Sequence, residues 1–176
     1  MKLFENETIR LRAPEPEDLD KLYCWENDPA LWELGSTLSP YSRYTLKQYI
    51  ADSGNDIYDR KQLRLIIELK ETLTAIGTID LYDFDPHHRR AGVGILVDST
   101  YQKKGLGKSA LNLLIDYAFS FLKIHQLYAY IPVTNTPSLR LFEQCGFNTM
   151  GLLEDWLSTA DGYVDVRLVG RISIRD

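Results

Sequence analysis

Gln102-Lys103-Lys104-Gly105-Leu106-Gly107-Lys108 is the stretch on which the reading of this chain turns. It lies between an alternating run, Arg89 to Val97, and the strongest helical pattern in the sequence, Gly105 to Leu122. In that pattern Leu111, Leu114, Ile115, Ala118 and Leu122 recur at helical spacing. Two glycines separated by one residue let the main chain approach a ligand closely. The unpaired N–H groups of a helix start then face outward, where the helix dipole also favours an anion. Lys103, Lys104 and Lys108 add positive charge, so a diphosphate is the natural guest. The plain alternative is a glycine turn with a solvated lysine cluster, and spacing alone leaves it open. Two other phosphate motifs lose. A P-loop has four residues between its glycines, whereas only Leu106 stands here. A dinucleotide fingerprint needs a third glycine where Ala110 stands and an acid about 20 residues on, and Asp116 is too near.

Working outward, Thr8 to Arg12 alternates as a strand, and Pro14-Glu15-Pro16-Glu17-Asp18 opens a helix that ends near Asp28-Pro29. Residues 26–41 read as irregular, Ser42 to Ser53 as a helix and Gly54 to Lys61 as a polar loop. Leu63 to Leu69 and Thr72 to Phe84 read as a hairpin. Leu127 to Val133 is a strand, and Thr136-Pro137 starts a short helix with Thr136 as N-cap and Gly146 just past its end. Phe147 to Leu157 and Tyr163 to Ile174 form a last hairpin. The order β-α-α-β-β-β-α-β-α-β-β predicts one α/β domain over residues 1–176, with about four helices on a mixed sheet.

The chain has 176 residues, enough to bury about 70% of its unfolded surface without disulfides or metals. Its 20 basic and 25 acidic residues give a net charge of −5, which argues against nucleic-acid binding and suits a cationic partner such as an amine. No apolar run has the roughly 18 residues of a membrane span, and Met1 to Glu7 lacks the apolar core of a signal peptide. Cys24 and Cys145 show no metal spacing and are expected to be small buried hydrophobes, so a cytoplasmic protein is expected.

A second motif follows the first. Asn135 and Ser138 precede Leu141-Phe142-Glu143-Gln144-Cys145-Gly146-Phe147. The pair Q-x-x-G-x-G and N-x-x-S-x-x-L-[YF]-E-x-x-G-F resembles the GNAT superfamily of N-acetyltransferases across essentially the whole chain. Thr8 to Arg12 and the element order resemble its ribosomal-protein and spermidine acetyltransferase-like branch. The resemblance implies a mostly antiparallel seven-stranded sheet whose fourth and fifth strands splay into a wedge for acetyl-coenzyme A (acetyl-CoA). The diphosphate would rest on Gln102, Lys103, Lys104, Gly105, Leu106, Gly107 and Lys108. The pantetheine would run along Ile95, Leu96 and Val97, touching Asn135 and Ser138. Pro132, which has no N–H to donate, fits the parting of the strands, and helix capping is the other reading of Asn135.

The implied reaction is direct attack of a primary amine on the thioester in a ternary complex, with the Val97 N–H steadying the oxyanion. Two departures stand out: the usual tyrosine acid is Phe142, and the usual carboxylate base is Gly92. Tyr128 and Tyr130 are the candidate substitutes, with sheet packing as the other reading. Asp80, Asp83, Asp85, His87 and His88 form a further polar group, read either as a relay or as a turn around Pro86; a metal site is not expected. The acceptor residues are expected to be Glu26, Asp28, Trp32, Glu33, Tyr41 and Asp80, with Glu154 and Asp155 in reserve. The acceptor is expected to be a polyamine such as spermidine or spermine. A protein N-terminal amine is the alternative, and a non-catalytic acetyl-CoA-binding module is the competing class. A homodimer or larger homo-oligomer is expected, with no nucleic-acid or membrane partner.

Overall fold

The computed structural model describes residues 3–32, 39–54 and 56–174. One seven-stranded sheet organises them, in the order β1-β2-β3-β4-β5-β7-β6. Its strands are β1 (Ile9–Arg12), β2 (Leu63–Leu69), β3 (Thr74–Asp85), β4 (Arg90–Val97), β5 (Gln126–Pro132), β6 (Asn148–Thr159) and β7 (Gly162–Ile172). Every pairing is antiparallel except β4 with β5, which is parallel. The helices are α1 (Leu19–Glu26), α2 (Pro29–Trp32), α3 (Arg43–Asp52), α4 (Ile57–Arg60), α5 (Leu106–Asp116) and α6 (Thr136–Gln144).

Each face of the sheet buries its own apolar cluster. Ile79, Leu81, Ala91, Val93, Leu127 and Ala129 pack with Ala110, Leu111, Leu114 and Ile115 of α5 and Phe142 of α6. On the opposite face Ile66, Ala75 and Leu96 meet Leu22 and Trp25 of α1 and Ile50 of α3. The two-residue period of the strands makes this division: Ile79 and Leu81 of β3 with Ala91 and Val93 of β4 face α5, whereas Leu96 faces α1 and α3; a bulge at Ile67/Glu68 of β2 shifts the period at the start of β3, so that Ile76 joins the first cluster and Ala75 the second.

The first helix is preceded by a 3-10 turn, Pro16–Asp18, in which Asp18 and Glu15 bond reciprocally. Asp18 is also held by both terminal nitrogens of Arg12, at 2.7 and 2.9 Å, and Arg12 Nε reaches the buried Glu68 of β2. The second arginine of Thr8 to Arg12 thus fastens α1 to the sheet.

Several boundaries differ from the sequence reading. The polar loop at 54–61 contains α4, because Asp56 caps it by accepting the Tyr58 N–H and Ile57 anchors it in the core. Pro29 starts α2, a single turn inside the segment read as irregular. The α-helix read to Leu122 stops at Asp116, and residues 117–121 widen into a π turn that keeps Tyr117 against Phe4 and Phe121. The cap of α6 is Asn135 instead of Thr136: its side chain accepts the Ser138 N–H at 3.2 Å.

Candidate active site

β4 and β5 pair only at Arg90↔Gln126, Ala91↔Leu127 and Gly92↔Tyr128. Beyond that point they part. β4 goes on pairing with β3 as far as Val97, and β5 with β7 as far as Pro132. Residues 91–93 are buried and 94–97 only half-buried, as an opening wedge requires.

Strand alternation fixes which main-chain groups face the gap. The Asp98 N–H donates to Ile76 of the β3 side, so the N–H groups of Val93, Ile95 and Val97 point the other way: that of Val93 closes the last pairing with Tyr128 of β5, and those of Ile95 and Val97 face the open wedge. From β5, the Val133 N–H donates to Asp165 of the β7 side, so the even residues Tyr128, Tyr130 and Pro132 turn their main chain to the gap. Pro132 is therefore a wedge-facing position with no donor, as expected, although the strands have already parted at Tyr128.

Two side chains of β3 cross the two glycines of β4. Tyr82 lies over Gly92, where a Cβ would stand 2.3 Å from Cε2 and Cζ of its ring. Asp80 lies beside Gly94, its Oδ2 3.6 Å from a Cβ there. Burial, followed by the neighbouring Tyr128 and Tyr130, pushes the Tyr82 phenol well above its usual range, while the Tyr130 main-chain N–H opposes the shift. Tyr128 meets the Tyr82 ring edge-on at 6.2 Å and the Tyr130 ring at 5.7 Å. The sequence reading missed Tyr82. Its signal was faint: a tyrosine two residues after Asp80, with glycines at the facing positions of the next strand.

At the other end of the wedge stands the start of α5. Gly105 adopts φ 74°, and Lys103 before it φ 61°. The first α-helical bond there runs from Ser109 N–H to the Gly105 carbonyl, leaving the Leu106, Gly107 and Lys108 donors ahead of the ladder. A Cβ on Gly105 would meet open space. Gly107 is different: a Cβ there would lie 3.5 Å from Val97 and Leu141 side chains, so this glycine faces the protein rather than a ligand. The Gln102 side chain donates to the Val97 carbonyl at 2.9 Å, joining loop to wedge. Lys104 lies 5.3 Å from the Tyr101 ring. This cradle of donors and lysines fits a diphosphate, and the wedge N–H row fits an extended amide-bearing arm.

A cleft of about 520 Å³ adjoins the wedge at Leu96, Val97 and Gln102. Its other walls come from α1 and α2 and include Asp20, Lys21, Cys24, Trp25 and Asp28. The Trp25 indole donates to Asp98 at 3.1 Å. Asp98 is held below the usual carboxylate range, first by the Thr100 hydroxyl, then by the Thr100 N–H and Trp25 against opposing burial. Asp20 is paired with Arg43 at the rim of this cleft, which leaves two carboxylates, Asp28 and Asp98, with Lys21.

The expected acceptor residues do not all gather there. Asp28 lines the cleft. Glu26 and Asp80 are tied to Arg64, which grips Asp80 with two bonds of 2.8 and 2.9 Å and reaches Glu26 with its third nitrogen. They are a paired cluster under α1 rather than free acids, and Arg64 is a second residue that the sequence reading missed. Trp32 donates to the Glu26 carbonyl at 2.8 Å, and Tyr41 pairs its main chain with the Asn27 side chain. Glu33 lies outside the described residues. Glu154 and Asp155 are exposed on β6. His87 and His88 belong to the β3–β4 turn, where the His88 N–H donates to Asp85. Among the described residues, no group of three potential metal ligands occurs. Cys145 is buried as expected, but Cys24 is exposed, because its position on α1 turns it to the cleft. Phe142 is 2% exposed and packs edge-on against Phe147.

Comparison with known proteins agrees with this architecture. The family described as Acetyltransferase (GNAT) domain matches residues 8–148. An uncharacterized N-acetyltransferase, p20, of Bacillus licheniformis is 29% identical over 167 residues, covering 94% of this chain and 93% of its own. Spermidine N(1)-acetyltransferase of Vibrio cholerae is 26% identical over 162 residues, covering 92% and 91%. The crystal structure of the Vibrio cholerae spermidine N-acetyltransferase with CoA and spermine superposes with a TM-score of 0.85 over 95% of this chain and 96% of that one, at 26% identity. A dodecameric structure of the Vibrio cholerae enzyme also matches, with a TM-score of 0.78 at 26% identity over 95% of each chain. Ribosomal-protein-S5-alanine acetyltransferase from Vibrio fischeri shares the fold, with a TM-score of 0.84 at 22% identity over 98% and 97%.

Proposed function

This chain belongs to the GNAT acetyltransferase family, and from that premise we propose that it moves the acetyl group of acetyl-CoA to a primary amine of a polyamine such as spermidine or spermine. The observation that carries the reading is the continuity of three parts: the donor-rich start of α5, the wedge lined by main-chain N–H groups, and the acidic cleft that meets the wedge at Val97.

Acetyl-CoA supplies an activated acyl group as its thioester. The Leu106, Gly107 and Lys108 N–H groups hold its diphosphate, with Lys103, Lys104 and Lys108 close by. The N–H groups of Ile95 and Val97 hold the arm, and one of them polarises the thioester carbonyl and steadies the oxyanion. Asn135 keeps Ser138 and the start of α6 in place beside the arm. On the acceptor side, Asp28 and Asp98 attract a cation, while Asp20 is paired with Arg43. An alkyl ammonium has a pKa of about 10.4, so it must lose a proton before its nitrogen attacks. Much of the acceleration then comes from holding amine and thioester together. Phe142 serves as packing in this scheme, and Tyr128 and Tyr130 wall the acceptor face.

The exposed Met150, Leu152, Trp156 and Tyr163 of the β6–β7 hairpin support assembly into a homo-oligomer. Coenzyme A release measured across spermidine, spermine, lysine, peptides with free N-termini and an aminoglycoside tests the function. Release with polyamines bears the reading out. Release with free N-termini alone moves the acceptor to proteins, and binding of acetyl-CoA without turnover on any amine makes the chain a sensor.

A further inference from the structure

The fork of the wedge is closed by a side chain. Tyr82 comes from β3, crosses β4 at Gly92, and carries its hydroxyl on the ring carbon that stands over that glycine. The crossing is possible only because residue 92 has no Cβ. Past Gly92 the hydroxyl comes up against β5. There it lies near the main chain of Tyr130, which faces the gap beyond the last β4–β5 pair. The O–H itself remains to be donated.

A substrate arm laid along Val97 and Ile95 must stop at this fork, because beyond it β4 and β5 are bonded to each other. The reacting end of the arm is then the end that meets Tyr82. The GNAT pattern carries an acid at residue 142 and a base at residue 92, and this chain has Phe142 and Gly92 there. Here one residue fills the space beside Gly92 and presents a hydroxyl, while Phe142 stays buried against Phe147. Of the three tyrosines on this face, only Tyr82 lies across β4.

We propose that the Tyr82 hydroxyl donates a hydrogen bond to the sulfur of acetyl-CoA at the closed end of the wedge and stabilises the thiolate as it leaves. The inference rests on the acetyl-transfer reading. In the step itself the amine nitrogen bonds the acetyl carbon, and the carbon–sulfur bond breaks. The sulfur departs with the electron pair. The proton lost by the amine goes to solvent through the open acceptor cleft, and the thiolate is protonated after release. Tyr82 keeps its own proton throughout, in agreement with burial that disfavours the phenolate. It acts as a fixed donor, which makes it complementary to the charge that develops on sulfur rather than to the neutral thioester.

The test uses the whole protein and its Tyr82→Phe variant, which keeps the ring on Gly92 and removes the donor. A hydrogen bond to a charged acceptor contributes about 1.5–3 kcal/mol, or roughly 10- to 150-fold. The kcat of Tyr82→Phe is therefore expected to fall by about that factor, with KM for acetyl-CoA within about twofold of wild type. A second readout follows the thiol of bound CoA by its ultraviolet absorbance against pH. In the wild type it titrates below free CoA, and in Tyr82→Phe it titrates about one to two pH units higher than in the wild type. The wild-type titration stands even if the variant fails to fold. A bound thiol that titrates like free CoA in the wild type overturns the proposal. So does an unchanged kcat, or a loss of kcat matched by a loss of thermal stability and CoA affinity. Failure of the wild type to bind CoA overturns the acetyl-transfer reading itself, and this inference with it.

Discussion

The side-chain amide of Gln102 donates to the carbonyl of Val97 at 2.9 Å, so the first residue of the glycine loop is fastened to the last residue of β4. Val97 turns its main chain into the wedge, and without Gln102 its carbonyl would offer an acceptor where the arm of the substrate needs donors. Replacing Gln102 by Glu removes the donor and adds a negative charge beside the diphosphate cradle. At about 1–1.5 kcal/mol for the lost bond, KM for acetyl-CoA is expected to rise roughly 5- to 10-fold with kcat nearly unchanged. Steady-state kinetics checks this, and an unchanged KM would separate Gln102 from the cofactor site.

The two glycines of the loop are expected to respond differently. Gly105 adopts φ 74°, so Gly105→Ala costs about 1–2 kcal/mol in backbone strain and weakens acetyl-CoA binding. Gly107→Ala adds only an ordinary contact at 3.5 Å with Val97 and Leu141, and is expected to stay within about 1 kcal/mol of wild type. Gly107→Leu overfills that space and is expected to cost about 1–3 kcal/mol. Thermal unfolding of the three variants, with and without CoA, reads both effects.

Arg12 neutralises two carboxylates, Asp18 and Glu68, that are 4% and 3% exposed. Arg12→Met leaves both without it, although Arg10 still reaches Glu68. A loss of about 3–5 kcal/mol is expected in urea unfolding. A loss under about 1 kcal/mol would mean that the network is no more than a surface pairing.

Asp98 is held below the usual carboxylate range in the folded chain. A carboxylate with a depressed pKa stabilises the fold in full above its unfolded value, about 3.9, and that contribution disappears as pH falls through the folded value. The Trp25–Asp98 contact is therefore expected to be intact at pH 5 and still intact at pH 4, and to be lost only as pH falls through the depressed folded value, which Trp25 fluorescence can follow in a variant lacking the other two tryptophans. Asp98→Asn is expected to flatten that response.

Much of the site was legible because it is local. The Gly105 turn, the start of α5 and the Gly146 end of α6 each depend on residues a few positions apart, and the structure places them as the spacing predicts. What the sequence hid depends on register. Tyr82 faces Gly92, and Arg64 faces Asp80, only once β3 is aligned with its neighbours. A charged residue inside an apolar run, as in Leu63-Arg64-Leu65 and Ile79-Asp80-Leu81, is the signal that betrays such a pair. Glu26 and Asp80 read as free acids because their shared partner lies far away in the chain. At the start of α6 both Asn135 and Thr136 are residue types that cap helices, and the structure uses Asn135. Neighbouring residues that can both cap a helix are not told apart by sequence.

The donors that line the wedge belong to the main chain at residues 95 and 97, and this has an evolutionary consequence. Any amino acid except proline supplies the same N–H, so substitution at these positions is limited by packing on α5 and not by recognition. Such a surface survives sequence drift that would erase a constellation of side chains. Lineages can then diverge freely in the acceptor cleft, trading one amine for another, while the half of the site that holds the common donor molecule stays the same.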